Sequence, residues 1–168
     1  MKESLDLKEL LAAAKQLASE KKIDLSSDED LSLAVMNLVS IEEHLFYSGA
    51  KTNDATYYDL IGPVRELRKT YLKQLLPAYE GEVWCISKHL LAASMRLMEV
   101  GTKRLERDPQ AAQACFRDAY TLYSYFWMLK LKMATGKSGA PVTAVPPSPT
   151  SQKAMEDFLA KLVDCCGE

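Results

Sequence analysis

The sequence predicts an all-α protein: an antiparallel up-and-down bundle of four long helices, with an N-terminal helix before it and a C-terminal tail helix after it. Three observations support this prediction. Apolar residues recur at helical spacing through most of the first 134 residues. The breaks between these segments are short and contain capping residues, glycine or proline. No segment shows the alternation of apolar and polar residues that is typical of a strand.

The first two predicted helices have recognisable starting residues. Ser4 is a candidate cap for a helix that runs to about residue 22, and its apolar face consists of Leu7, Leu10, Leu11, Ala14, Leu17 and Ala18. The second helix is predicted to begin at Ser26, which forms a capping box with Glu29, and to be ended by Gly49. The apolar arc of this second helix contains Leu31, Ala34, Val35, Leu38, Val39, Ile41, Leu45 and Phe46.

The third predicted helix follows a turn in which Asn53 or Asp54 is the cap. Its apolar stripe consists of Leu60, Ile61, Val64, Leu67, Tyr71, Leu72 and Leu75. Gly62 and Pro63 lie inside this stripe, so the helix is either kinked there or begins at Pro63. We favour a kinked or broken helix, because the stripe keeps the same phase on both sides. The fourth helix, residues 82–105, has two apolar faces and is expected to pack against more than one neighbour. One face consists of Val83, Ile86, Leu90, Ala93, Leu97 and Val100, and the other of Trp84, Leu91, Met95 and Met98.

The last long helix is predicted to begin after the cap Asp108, with Pro109 in its first position. Its core residues are predicted to be Ala112, Phe116, Ala119, Tyr120, Tyr123, Phe126 and Trp127. Residues 135–150 are rich in Pro, Ser, Thr and Gly and are predicted to be a flexible linker. Residues 151–168 are predicted to form a short amphipathic helix and a cysteine-containing tail, which leaves residues 1–134 for the bundle.

The composition argues against several classes of protein. The chain has 21 Lys and Arg against 23 Asp and Glu, without the basic excess expected of a nucleic-acid-binding protein. It has no run of apolar residues long enough for a membrane span. The first residues lack the layout of a secretory signal, so the cytoplasm is the expected location. The ending CCGE lacks the aliphatic residues of a prenylation site.

No catalytic or metal-binding motif is complete. Residues 136–138 resemble part of a phosphate-binding loop, but Leu131 stands where that loop requires its first glycine. Neither His44 nor His89 has a Glu three residues before it, as a di-iron helix bundle would require. The chain has only two histidines and no CxxC motif, so structural zinc is not expected either. We therefore predict no catalytic residue, no metal and no cofactor.

Charged residues interrupt the apolar faces of three predicted helices. Glu42 falls near the middle of the second helix's apolar arc, while Glu43 and His44 fall outside it and are expected to face water. Arg68 lies inside the stripe of the third helix, with Arg65 on its margin. On the fourth helix, the border of the first apolar face carries His89 and Arg96. When the chain is folded back at its turns, Glu42, Arg65, Arg68, His89 and Arg96 come to similar heights on one wall of the bundle.

This cluster has two main interpretations. In the first, which we favour, Glu42 pairs with one or two arginines in a structural network, because an unpaired buried charge is costly. In the second, the surplus arginines bind a small anion such as a carboxylate or a phosphate, with Glu42 as orienting group or base. If the helical phase is wrong, these groups are simply solvated.

The sequence therefore predicts a non-catalytic interaction or adaptor protein. It is expected to self-associate or to dock a partner helix, through its Met-rich and aromatic faces or through the tail helix. The alternative is a protein that binds, or acts on, a small anionic ligand through the Arg, Glu and His cluster. Neither a nucleic acid nor a membrane is an expected partner.

Overall fold

A computed structural model of the protein describes residues 25–77 and 82–134, together with residues 12–13, 15–17, 19–20 and 157. The described part is all-α and contains no strand, which confirms the predicted bundle. Its four long helices are α1 (Leu25–Thr52), α2 (Thr56–Leu75), α3 (Val83–Arg104) and α4 (Pro109–Ala134). Residues 12–13, 15–17 and 19 are helical, as predicted for the N-terminal segment. The predicted linker lies outside the described residues, and so does the tail helix apart from the helical residue 157.

Helix α4 begins at its predicted cap. The carboxylate of Asp108 accepts a hydrogen bond from the backbone N–H of Ala111 at 3.0 Å. The N-cap of α2 is Ala55, so neither predicted candidate, Asn53 or Asp54, occupies that position. The carboxylate of Asp54, one residue earlier, accepts a hydrogen bond from the backbone N–H of Thr56 at 2.9 Å. Helix α2 runs continuously through Pro63, so it neither begins at that residue nor is broken there.

Both predicted boundaries of α1 are wrong. Ser26 lies inside the helix, which already includes Leu25, so Ser26 is not its cap. Gly49 does not end the helix either, because α1 continues to Thr52. A Cβ atom at residue 49 would lie 2.7 Å from Cε1 of Tyr58 on α2. The glycine therefore serves close packing between two helices, because the aromatic ring rests against bare backbone.

The four helices form two antiparallel pairs, α1 with α2 and α3 with α4, and the pairs meet largely where α1 packs on α3. Gly101 of α3 has the same role in the second pair as Gly49 has in the first. A Cβ atom at residue 101 would lie 2.6 Å from Cε1 of Phe116 on α4. Small residues at these two positions let neighbouring helices approach closely.

The buried core lies at the end of the bundle where α1 and α3 begin and α2 and α4 end. Four of the five aromatic residues predicted for the core are found there: Tyr123, Phe126 and Trp127 are buried, and Tyr120 packs against them. The fifth, Phe116, is only half-buried and lies against Gly101, nearer the start of α4. The other buried members are Val35, Met36, Leu72, Leu75, Leu76, Leu91 and Leu131. Burial of each large apolar side chain contributes about 1.5–3 kcal/mol. The apolar arcs predicted for α1 and α2 extend too far, because Ile41, Phe46 and Leu60 are exposed.

Candidate functional site

The structure brings three of the five predicted site residues together, Glu42 of α1 with Arg65 and Arg68 of α2. Nε of Arg68 donates to one carboxylate oxygen of Glu42, and Nε of Arg65 donates to the other at 3.0 Å. The side chains of Arg68 and Glu42 are only 7% and 13% exposed, whereas that of Arg65 is 56% exposed. The carboxylate of Glu42 therefore has both oxygens engaged by α2, at a largely buried position between the two helices.

The other two predicted site residues lie elsewhere on α3. Arg96 donates to the carboxylates of Glu43 and Glu99, and to the hydroxyl group of Ser40 at 3.3 Å. Glu43 lies off the apolar arc and its side chain is 42% exposed, as predicted, but its carboxylate is also paired with Arg96. His89 is exposed. Arg96 thus belongs to a second ion-pair group on a different side of α1, and the five residues do not share one wall of the bundle.

Two open surface cavities lie near the helices but not at the Glu42 cluster. The first has a volume of about 380 Å³, and its lining residues include Ile41, His44, Leu45, Tyr57 and Met95. The second has a volume of about 360 Å³ and is lined by Lys69, Thr70, Lys73 and Trp84. Neither cavity is lined by any of the five predicted site residues. This arrangement favours the structural interpretation of the Glu42 cluster over the anion-binding one.

The ion pair between Glu42 and the two arginines should make stability depend on pH. Burial raises the pKa of Glu42, but the hydrogen bonds and charges of Arg68 and Arg65 outweigh this effect, so the pKa is lowered overall from its usual value of 4.5. A carboxyl group whose pKa is lowered by folding stabilises the fold above its unfolded pKa. That stabilisation is lost as the pH falls through the folded-state pKa.

We therefore expect the wild type to lose its stability advantage over Glu42→Ala as the pH falls below about 4.5. Urea unfolding of both proteins between neutral and acidic pH measures this difference. The comparison is needed because Glu29 acts in the opposite direction, since burial and the neighbouring Asp30 raise its pKa. A difference in free energy of unfolding that stays constant down to acidic pH would contradict the prediction.

A second buried ion pair was missed in the sequence. Nζ of Lys130 on α4 lies 2.9 Å from Oδ2 of Asp28 on α1, and it donates to the backbone carbonyl of Leu75 on α2 at 2.8 Å. Nearby, the hydroxyl groups of Ser32 and Tyr123 form a buried hydrogen bond of 2.7 Å between α1 and α4. Lys130 lies on the apolar face of α4, so a helical wheel of this segment could have identified it as a charge inside the bundle.

Two helices carry an apolar stripe that the bundle covers only in part. The α2 stripe consists of Leu60, Val64, Leu67 and Tyr71, and the α3 stripe consists of Val83, Ile86, Leu90, Ala93, Leu97 and Val100. In both stripes the spacing alternates between three and four residues, which is the heptad pattern of helices that pack against another helix. Leu67 is 51% exposed and Ile86 is 46% exposed. Both values are high for large apolar side chains.

The face of α3 that enters the bundle is not the α3 stripe. The buried residues of this helix are Ser87, Leu91, Ser94 and Gly101. At 3.6 residues per turn, the α3 stripe lies about a quarter of the way round the helix from them. Leu90 packs partly against the core, whereas Ile86 and Ala93 are exposed. Helix α3 packs against more than one neighbour, α4 and α1, as expected, but the α3 stripe is covered only in part.

Little else among the described residues indicates a chemical function. No three His, Cys, Asp or Glu side chains in this part of the chain are placed to hold a metal ion. Cys85 and Cys115 have free thiols, the first exposed and the second buried. None of the described helices combines the length and the apolar character needed to cross a membrane. Comparison of the chain with protein-family models, with curated proteins and with solved structures finds no match.

Proposed function

We propose that the protein is a non-catalytic interaction protein that binds helices through the α2 stripe and the α3 stripe. The observation that carries this proposal is that both stripes combine heptad spacing with partial exposure. Leu60, Leu67 and Tyr71 are exposed in the α2 stripe, Ile86 and Ala93 are exposed in the α3 stripe, and the other members are half-buried. An apolar face at this spacing is the pattern by which one helix packs along another. Clustered apolar side chains at the surface mark interaction sites in proteins that are otherwise covered by polar groups.

The α2 stripe supports the proposal independently of the α3 stripe. Helix α2 buries Arg68, Leu72 and Leu75 on one face, which packs on α1. Leu60 and Leu67 lie on a different face and are each about half exposed. The residues of the stripe span about two heptads, so a partner helix of three or four turns would cover it. Covering it would remove large apolar side chains from water, which favours association.

The anion-binding alternative has less support. Both oxygens of the Glu42 carboxylate are engaged by the guanidinium groups of Arg65 and Arg68. The buried charge of Arg68 thus has a partner within the chain, which is the expected state of a structural arginine. Neither described cavity reaches this group. The geometry therefore favours an interaction protein over a protein that acts on a small anion.

Site-specific photo-crosslinking in cells tests the proposal. A photoreactive residue is placed on the stripes, at Leu67 or Ile86, and at two matched exposed positions off the stripes, Glu66 of α2 and Cys85 of α3. We expect a discrete crosslinked species from the stripe positions and a much weaker one from the matched positions, because a docked helix lies within reach of the stripes alone. Mass spectrometry of that species identifies the protein that was captured.

Two outcomes would overturn the proposed function. In the first, stripe and matched positions give the same diffuse crosslinks, which would show that the stripes have no specific partner. In the second, the purified protein catalyses a reaction that is abolished by Arg68→Ala while the variant remains folded. That result would make the Glu42 cluster the functional site.

A further inference from the structure

We infer that the α3 stripe binds the α3 stripe of a second copy of this chain, with the two helices antiparallel. The inference rests on the proposed function, because it names the partner of one of the two stripes. It is drawn from three features of α3: the length of the stripe, the sizes of its side chains and the charges at the two ends of the helix. Each of these features fits a copy of the same helix.

The first feature is length. The α3 stripe runs from Val83 to Val100, which is nearly the whole of α3. It follows strict a and d positions, with steps of three, four, three, four and three residues. A strict seam of this kind is narrower than the face of a helix that packs inside a globular core. It is therefore suited to pairing with one further helix along its whole length.

The second feature is the order of side-chain sizes. When two copies of α3 run antiparallel about their midpoint, each residue of the stripe meets its counterpart from the other end. Val83 then meets Val100, Ile86 meets Leu97, and Leu90 meets Ala93. The largest size difference falls in the central layer, where a long side chain lies opposite a methyl group. No layer then combines two small side chains, as a parallel pair would by placing Ala93 opposite Ala93 and leaving that layer underfilled.

The third feature is the distribution of charge. Glu82 precedes the first turn of α3, and Lys103 and Arg104 occupy its last turn, and all three are exposed. Glu82 and Lys103 both flank the stripe on the same side, at equivalent heptad positions. Antiparallel pairing brings Glu82 of each copy beside Lys103 of the other. In a parallel pair each of these positions would instead lie beside a different heptad position of the partner, so Glu82 and Lys103 would not meet and this attraction would be absent.

Sedimentation equilibrium of the full chain tests the inference. The wild type is expected to approach twice the 18.8 kDa of one chain as its concentration rises. Ile86→Glu should raise the dimer dissociation constant at least about tenfold, because it places a charge in an apolar seam twice per dimer. Cys85→Glu is the matched control, because it adds the same charge at the neighbouring residue, which is exposed and lies off the stripe. This control should dimerise like the wild type.

Ala93→Glu is a second disrupting variant, chosen because Ala93 is exposed and glutamate is a good helix former. If circular dichroism shows that Ile86→Glu is unfolded, Ala93→Glu still tests whether the stripe forms the dimer interface. Charge reversal tests the direction of pairing. Glu82→Lys should weaken the dimer, and adding Lys103→Glu to the same chain should restore it. In a parallel dimer residues 82 and 103 lie at opposite ends and do not meet, so neither the weakening by Glu82→Lys nor its reversal by Lys103→Glu would be seen.

The possible failures separate this inference from the proposed function. A monomer at every concentration overturns the inference. If crosslinks at Ile86 then reach a different protein, the proposed function stands with that protein as partner, and if no position crosslinks specifically, both fail. If the protein is a monomer and Ile86→Glu lowers its free energy of unfolding, a segment of the same chain covers the stripe. A dimer that neither Ile86→Glu nor Ala93→Glu weakens would place the interface elsewhere, and it too overturns the inference.

Discussion

Glu42→Ala is expected to lower the free energy of unfolding by about 3–5 kcal/mol, because it leaves the buried guanidinium group of Arg68 without a partner. The side chain of Arg68 is 7% exposed, so water cannot replace the lost carboxylate without opening the contact between α1 and α2. The loss would exceed the value of a typical surface ion pair several times. Urea unfolding at neutral pH, followed by circular dichroism, measures it.

Arg65→Ala is the matched control for Glu42→Ala. Arg65 binds the same carboxylate at 3.0 Å, but its side chain is 56% exposed, so its removal is expected to cost no more than about 1 kcal/mol. The double variant Glu42→Leu with Arg68→Met should recover most of the lost stability, since it replaces a buried ion pair by apolar groups. Equal losses for Glu42→Ala and Arg65→Ala would show that the burial of Arg68 does not determine the effect.

The pairing of Glu42 with the arginines of α2 was predictable because two patterns agreed. The helical wheel placed Glu42 and Arg68 on inward faces, and the short turn between their helices fixed their relative heights. Arg96 was assigned the correct height but the wrong partner. Adjacent residues on a helix point about 100° apart, so Glu42 faces α2 while Glu43 faces α3 and meets Arg96. The height of a residue in the bundle can be counted along the chain. The direction in which each neighbouring helix lies cannot be read from the sequence.

The bundle itself was predictable for a similar reason. Caps such as Asp108 and runs of apolar residues at helical spacing are local signals, and they identified all four long helices. The sequence could not show which of the two apolar faces of α3 enters the core, because both have helical periodicity. Nor could it show that Gly49 serves packing, because the ring of Tyr58 reaches it only once α2 has folded back. These features depend on the arrangement of the helices in space.

Lys130→Met is expected to lower the free energy of unfolding by about 3 kcal/mol. Methionine keeps the length and the apolar stem of the side chain, so the variant removes little more than the ammonium group. That group lies between the carboxylate of Asp28 and the backbone carbonyl of Leu75, and its side chain is only 9% exposed. Leu75 is the last residue of α2, where carbonyl groups have no partner within the helix. One side chain thereby joins the start of α1, the end of α2 and the last turns of α4.

The same substitution on the surface isolates the effect of burial. Lys69 forms an ion pair with Glu66 at 2.9 Å, the same length as the pair between Lys130 and Asp28, but both side chains are at least half exposed. Lys69→Met is therefore expected to change the free energy of unfolding by less than about 1 kcal/mol. Comparable losses in the two variants would contradict the argument from burial. If only Lys130→Met is strongly destabilising, the contacts that Lys130 makes between three helices distant in sequence stabilise the core end of the bundle.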